Sequence, residues 1–269
     1  MSTATLEPRT KTAPLRRLAA LAVGAACLFP FAYLLLLSLA RRWPFPALWP
    51  DGFQPDRWHD VLSGTGNLAA GFALSGLISL TVAALSTAAG YVTGKYIAYH
   101  PRRQTLLFLA YIPFIMSPVI LGTCLMYLYL KAGLAGSTTG VILAQSMFAY
   151  GFGIVFFSAF WNPEVKALED LVFTLGGSRL DAYRRVLLPV SRGPLLVCFF
   201  QTFLISWFQY GLTLLIGTGK VQTLPLLVYA YLNEANVHYA AMAACLLILP
   251  PALLLWINKR FVFNEMREF

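Results

Sequence analysis

Six long apolar stretches constrain this chain more than any other feature. Each is about 20 residues or longer, the length that an α-helix needs to cross the hydrocarbon core of a bilayer. The chain has 269 residues, of which 58% are hydrophobic and 12% charged, too few polar side chains to cover a water-soluble globule. The sequence therefore predicts an all-α, polytopic membrane protein with six transmembrane helices, at residues 18–40, 68–98, 105–130, 139–161, 194–217 and 239–261.

The distribution of positive charge predicts which side of the membrane each loop faces. If the N-terminus is cytoplasmic, only five of the 20 Lys and Arg residues fall on the outside, namely Arg41, Arg42, Arg57, Lys131 and Lys220. Positive residues concentrate in cytoplasmic loops, so both termini are predicted inside. The expected units are a cytoplasmic tail (1–17), the first helix with an outer segment (18–66), a core (67–263) that contains the cytoplasmic loop 162–193, and a cytoplasmic tail (264–269).

The first apolar stretch follows two arginines, as the apolar part of a secretory signal peptide does. It is longer than the roughly 7–15 residues of such a region, and this favours a retained helix over a cleaved signal.

Several function classes lack their residue patterns here. The net charge of +9 is spread between apolar runs and does not form the basic face typical of nucleic-acid binding. No glycine-rich segment ends in Lys-Ser or Lys-Thr, so ATP is not expected to bind this chain. The cysteines and histidines show no metal-ligand or catalytic spacing, and we predict no catalytic residue, metal or cofactor at Cys27, Cys124, Cys198, Cys245, His59, His100 or His238.

No Asp, Glu, Lys or Arg lies deep in a predicted span, although Lys95 approaches the end of the second. Ion-coupled carriers usually need an ionisable group at membrane depth. The absence of ionisable groups at membrane depth favours an energy source outside this chain. A passive channel or an ion-coupled secondary transporter built on the same six helices remains the alternative, whereas a lipid-modifying enzyme would need acidic, His or Cys residues grouped near one membrane face.

Loop 162–193 carries strong signals for a helix, a turn and a second helix. Asn162 is a suitable N-cap for a helix whose first residue is Pro163. Apolar residues recur at three- and four-residue intervals and predict one apolar face, formed by Val165, Leu168, Leu171, Val172 and Leu175.

The end of the first loop helix and the start of the second are marked by small and polar residues. Gly176 and Gly177 are typical of a helix C-terminus. Ser178 and Asp181 have the spacing of a capping box, and Pro189 marks the predicted end of the second helix.

The same loop resembles the cytoplasmic signature of the membrane subunits of binding-protein-dependent ABC importers, which is Glu-Ala-Ala, three residues, Gly, nine residues and Ile-x-Leu-Pro. Here 170–172 is Asp-Leu-Val, Gly176 follows after three residues, and 186–189 is Val-Leu-Leu-Pro after nine more. Gly and Leu-Pro are kept. Asp in place of Glu preserves the charge with a shorter reach, whereas Leu and Val in place of the two alanines enlarge the surface and suggest a co-adapted ATPase. The resemblance implies an ATPase-docking site at Asp170, Leu171, Val172, Leu175, Gly176, Gly177, Ser178, Leu188 and Pro189.

The alternative interpretation of this loop is an amphipathic helix on the anionic inner leaflet. Its basic residues would then contact lipid phosphates, through Arg179, Arg184, Arg185 and Arg192.

A looser resemblance covers residues 208–229, with Gly211, Gly217, Gly219 and Thr-Leu-Pro-Leu at 223–226. This stretch is similar to permeases for polyamines, ferric iron, thiamine and sulfate. Together the two resemblances imply a non-catalytic subunit of a bacterial inner membrane importer for a small polar solute. The implied partners are ABC ATPase subunits that bind ATP and Mg, a second permease subunit, an extracytoplasmic solute-binding protein and membrane lipid.

A path for a polar solute should be lined by hydroxyl and amide groups that are turned away from lipid. Any one of these groups could instead make a hydrogen bond between helices. The candidates are Ser117, Thr123, Gln145, Ser146, Gln201, Thr202, Ser206 and Gln209.

Overall fold

A computed structural model describes residues 13–44, 46–64 and 66–265. Within these ranges the fold is helical, and the β-structure is limited to one isolated antiparallel bridge between Ala40 and Phe53. The all-α prediction is confirmed. Of the two predicted tails, residues 1–12 and 266–269 lie outside the described residues, as do the predicted cytoplasmic positions Arg9, Lys11 and Arg267.

The helices, numbered in chain order, have the following bounds: α1 Ala13–Leu39, α2 Asp56–Leu62, α3 Asn67–Ala98, α4 Arg103–Ile115, α5 Pro118–Lys131, α6 Thr138–Phe160, α7 Pro163–Thr174, α8 Arg179–Val190, α9 Arg192–Trp207, α10 Gly211–Gly217, α11 Leu224–Asn233 and α12 Val237–Glu265.

Four helices, α1, α3, α6 and α12, are long and apolar enough to cross a membrane. Two further pairs meet the same test only when each is taken together: α4 with α5, bent by 94°, and α8 with α9, bent by 68°. The polytopic prediction is therefore confirmed, and the predicted number of six crossings is reached if each bent pair forms one span.

The prediction of one continuous helix over 105–130 is wrong. The chain leaves the helix at Met116 and Ser117, where ψ is 140° and 135°. Pro118 follows, and its ring disfavours a helical conformation of the residue before it. α5 then starts at this proline, where the missing N–H is tolerated.

The prediction that the fifth span runs to Gly217 is also wrong, because α9 ends at Trp207 and α10 begins at Gly211. The restart brings α10 against the start of α5. A Cβ on Gly211 would lie 2.9 Å from Val119 Cγ2, so only glycine allows this approach. No proline marks the break.

Helices α3 and α6 approach each other closely through their glycines. A Cβ on Gly90 would lie 2.8 Å from the carbonyl carbon of Gly153, and one on Gly153 would lie 2.9 Å from Ser86 O. One turn further along α3, a Cβ on Gly94 would lie 2.7 Å from Phe157 Cβ. Small residues spaced four apart allow two backbones to touch in a membrane, where packing is the main attraction between helices.

Helix α12 contacts both α9 and α1 through hydrogen bonds. Trp207 Nε1 donates to Leu247 O at 2.8 Å, and His238 Nδ1 donates to Leu37 O at 2.9 Å. The indole of Trp207 is buried and packs on Phe203 and Phe72. These contacts fix α9 and α1 in position relative to α12.

Candidate functional site

The first helix of loop 162–193 starts as its sequence predicts. Asn162 is the N-cap, and its Oδ1 accepts a hydrogen bond from Val165 N at 2.9 Å. Pro163 is the first residue of α7, and Glu164 lies in its first turn. An acidic residue there is favoured by the positive end of the helix dipole.

The turn that follows α7 depends on Gly176, whose φ is +80°. Gly176 N donates to Phe173 O at 3.0 Å, and Gly177 N donates to Val172 O at 2.9 Å. These are the two bonds of a Schellman motif, which satisfies the last carbonyls of a helix and needs a left-handed residue. The predicted role of Gly176 as a helix terminator is confirmed.

Helix α8 begins with the predicted capping box. Asp181 N donates to Ser178 Oγ at 3.2 Å, while Ser178 N donates to the Asp181 carboxylate, also at 3.2 Å. The hydrogen bonds from Ser178 hold the pKa of Asp181 below its ordinary value, with Arg185 adding a smaller effect from 3.3 Å. The middle of α8, Ala182–Leu187, is π-helical.

The predicted apolar face of α7 is divided between two roles. Val165 is buried against the spans, whereas Leu171 and Leu175 of the same face are exposed, as are Leu180 and Leu188 of α8. We call these four exposed residues the leucine surface: Leu171, Leu175, Leu180 and Leu188, with 55%, 79%, 60% and 48% of their area accessible. Large apolar side chains left exposed on a loop are candidates for contact with another molecule.

The predicted docking residues lie on or beside this surface. Those exposed are Asp170, Leu171, Leu175, Gly176, Ser178, Leu188 and Pro189, and those half-buried are Val172 and Gly177.

The inner side of the loop is fixed by Lys95, in the last turn of α3. Lys95 Nζ lies 2.7 Å from Glu169 Oε1, and the two side chains are only 14% and 16% exposed. The same ammonium group lies 4.5 Å from the ring centre of Tyr183 and 5.2 Å from that of Trp161. One cation therefore contacts both loop helices and the end of α6.

An aromatic and aliphatic core surrounds this ion pair. Tyr91 OH lies 3.0 Å from Ser191 Oγ, at the junction of α8 and α9, and Trp161 Nε1 donates to Tyr91 O at 3.2 Å. Buried residues of α3, α6, α7, α8 and α9 meet here, among them Tyr91, Phe157, Trp161, Val165, Leu187 and Cys198. Loop 162–193 is thus packed onto three helices, α3, α6 and α9, and is not attached to the bundle only at its two ends.

Lys95 and Glu169 were not among the site residues predicted from the sequence. The one available signal was that Lys95 stands alone at the end of an apolar stretch, where a charged group needs a partner. Glu169 could not be chosen as that partner, because it lies 74 positions away and beside Asp170.

Comparisons with known proteins agree with this architecture. No protein-family model matches the chain. A probable molybdenum ABC transporter permease of Haloferax volcanii is 28% identical over 184 residues, which are 63% of this chain and 68% of the relative. The expected resemblance to ABC importer permeases is confirmed.

A bacterial ABC transporter involved in the import of the acidic polysaccharide alginate shares the fold of this chain. The TM-score is 0.63, with 16% sequence identity, and the match covers 96% of this chain and 99% of the solved one. The likeness thus extends over nearly the whole chain, including the spans that are bent here.

Three of the predicted path residues form hydrogen bonds inside the bundle. Gln145 Nε2 donates to Thr213 Oγ1 at 2.8 Å, and the amide oxygen of Gln145 accepts from Ser206 Oγ. Thr202 Oγ1 lies 3.1 Å from Thr87 Oγ1. These buried groups join α3, α6, α9 and α10, as the alternative of interhelical hydrogen bonding predicts.

The other predicted path residues are placed differently. Ser117, Thr123 and Gln201 are exposed on the outside of the subunit. Ser146 Oγ and Gln209 Nε2 are buried atoms without a hydrogen-bond partner. The structure therefore does not bring the eight candidates together into one polar lining within this chain.

We expect Gln145→Leu to destabilise the protein by about 1–2 kcal/mol, the upper range for polar contacts between membrane helices. The substitution leaves two buried hydroxyl groups, of Ser206 and Thr213, without their amide partner. Thermal unfolding of the purified chain in detergent measures the effect. Gln201→Leu is the matched control, since Gln201 is exposed; equal loss in both variants would contradict a role for the buried network.

Proposed function

We propose that this permease forms half of the translocation pathway of an ATP-driven importer in a bacterial inner membrane. Loop 162–193 docks on a separate ATPase subunit, which binds ATP and Mg and drives the transport cycle. A second permease subunit completes the pathway, and an extracytoplasmic binding protein delivers the solute. This chain itself carries out no bond chemistry.

The observation that carries the coupling role is the two-sided construction of loop 162–193. Its outer side presents the leucine surface, and its inner side is packed onto α3, α6 and α9. A loop that only rests on lipid needs no rigid connection to several spans. A loop that passes movement from one subunit to another needs both an exposed contact surface and a stiff base.

For the solute, we favour a small tetrahedral oxyanion, the sulfate-like member of the substrates suggested by the sequence. The name of the Haloferax relative points to molybdenum, which dissolves in neutral water as the molybdate dianion.

The proposal is tested on the complex that co-purifies with the tagged chain from its native membranes, reconstituted in liposomes. We expect an ATPase and a binding protein to co-purify, and ATP hydrolysis to rise on addition of molybdate but not of spermidine. Sulfate serves as a second oxyanion. Stimulation by spermidine alone would overturn the oxyanion assignment.

The same preparation tests the alternative of a passive channel or an ion-coupled carrier. Liposomes that contain only the purified chain should show no uptake of labelled molybdate, with or without an imposed ion gradient. Uptake by the chain alone, or a chain that co-purifies with no ATPase, would contradict the importer proposal.

A further inference from the structure

We infer that Lys95 is a positioning residue that transmits movement of the ATPase-docking loop to the second membrane span. The inference rests on the proposed function. It adds to that function a specific link, the ion pair between Lys95 and Glu169, which is neither part of the docking surface nor part of the solute path.

The first step is the opposite placement of two adjacent acidic residues. Asp170 is exposed on the outer side of α7, whereas the side chain of Glu169 is 16% exposed and bonded to Lys95. Consecutive residues on a helix point about 100° apart, so they cannot serve one contact. Asp170 is therefore free to meet a partner, while Glu169 is committed to the permease itself.

The second step is that Lys95, itself in α3, contacts both loop helices and the end of α6. It bonds to α7 through Glu169, and it lies against the ring of Tyr183 in α8 and that of Trp161 at the end of α6. Tyr183 belongs to the π-helical part of α8. Such distortions are rare, and they occur often at functional positions.

The third step concerns which contacts can transmit force. The apolar packing of Val165 and Leu187 at the base of the loop holds the helices together but is not directional. A charge-assisted hydrogen bond of 2.7 Å is directional, and it is strengthened where water is largely excluded. The ion pair therefore resists both separation and sliding of α7 against α3.

The test measures molybdate-stimulated and basal ATP hydrolysis by the reconstituted complex, in variants of the pair. We expect Lys95→Met and Glu169→Gln each to lower the stimulation at least about five-fold, with the basal rate and the amount of co-purified ATPase unchanged. Lys95→Arg keeps the charge and should retain most of the stimulation. Lys131→Met is the matched control, because Lys131 also lies over a tyrosine ring, 4.7 Å from Tyr127, at the other end of the bundle.

The double variant distinguishes a link from two separate effects. If Lys95 and Glu169 act only through each other, removing both should cost no more stimulation than removing one. If the ion pair only stabilises the folded structure, assembly and basal hydrolysis should fall together with stimulation.

The outcomes separate this inference from the proposed function. Full stimulation in Lys95→Met, within a complex whose wild-type form is stimulated, would overturn the inference and leave the importer proposal intact. An equal loss in Lys131→Met would also overturn it. Failure of the wild-type chain to co-purify with any ATPase would overturn both.

Discussion

Gly90→Leu is expected to destabilise the protein by about 3 kcal/mol, the upper end of the usual cost of overpacking. A Cβ on Gly90 would lie 2.8 Å from the carbonyl carbon of Gly153. Because the obstacle is backbone, no change of rotamer can relieve the contact, and α3 and α6 must separate. The measurement is the thermal unfolding of the purified chain in detergent, together with its yield in the membrane.

Gly76 provides the control for this prediction. It lies in the same helix as Gly90, but a Cβ there would meet nothing within 4 Å. Leucine is a better helix former than glycine by roughly 0.5–1 kcal/mol, so Gly76→Leu should be neutral or slightly stabilising. Equal destabilisation by both variants would mean that close packing of α3 on α6 is not what holds the bundle.

The sequence predicts well those features that depend on local chemistry. The cap at Asn162, the turn at Gly176 and the capping box at Ser178 each follow from the residue that forms them, and all three are present. The apolar stretches likewise predict the long helices, because a bilayer requires continuous apolar length.

The sequence does not predict features that depend on contacts between residues far apart in the chain. The end of α9 at Trp207 has no proline to mark it, and Gly211, where the helix resumes, lies against Val119 of another helix. The pairing of Lys95 with Glu169 is equally a property of the folded bundle. Whether a polar residue such as Gln145 faces a path or another helix also depends on packing that a single sequence does not display.

These two kinds of feature meet in loop 162–193. Local signals shape its two helices and its turn, whereas tertiary contacts decide that Val165 faces the spans and that Leu171 and Leu175 remain exposed. The stiff contact of α3 with α6, through Gly90 and Gly153, then gives the loop a firm base. The proposed coupling requires both parts to be rigid, because a displacement of the loop would have to reach the membrane helices.

Valine at position 176 is expected to abolish solute-stimulated ATP hydrolysis while leaving membrane insertion intact. The φ of Gly176 is +80°, a conformation that costs a non-glycine residue about 1–3 kcal/mol and a β-branched residue most. Strain of that size would reduce the population of the dockable turn by roughly 5–150-fold. The measurement is molybdate-stimulated hydrolysis by the reconstituted complex, with insertion followed by the yield of detergent-extracted chain.

Gly176→Asn identifies the cause of the lost stimulation, because asparagine tolerates the left-handed conformation better than other non-glycine residues. A Cβ on Gly176 would meet nothing within 4 Å inside the chain, so backbone strain and contact with the partner are the two ways a substitution can act. If strain is the cause, Gly176→Asn should retain much of the stimulation that Gly176→Val loses. Gly193→Ala is the control, because Gly193 is an exposed glycine of the same loop, and this variant should retain all of the stimulation. If asparagine and valine are equally inactive, the partner must approach Gly176 too closely for any side chain. Full activity of the valine variant would instead remove the turn from the coupling route.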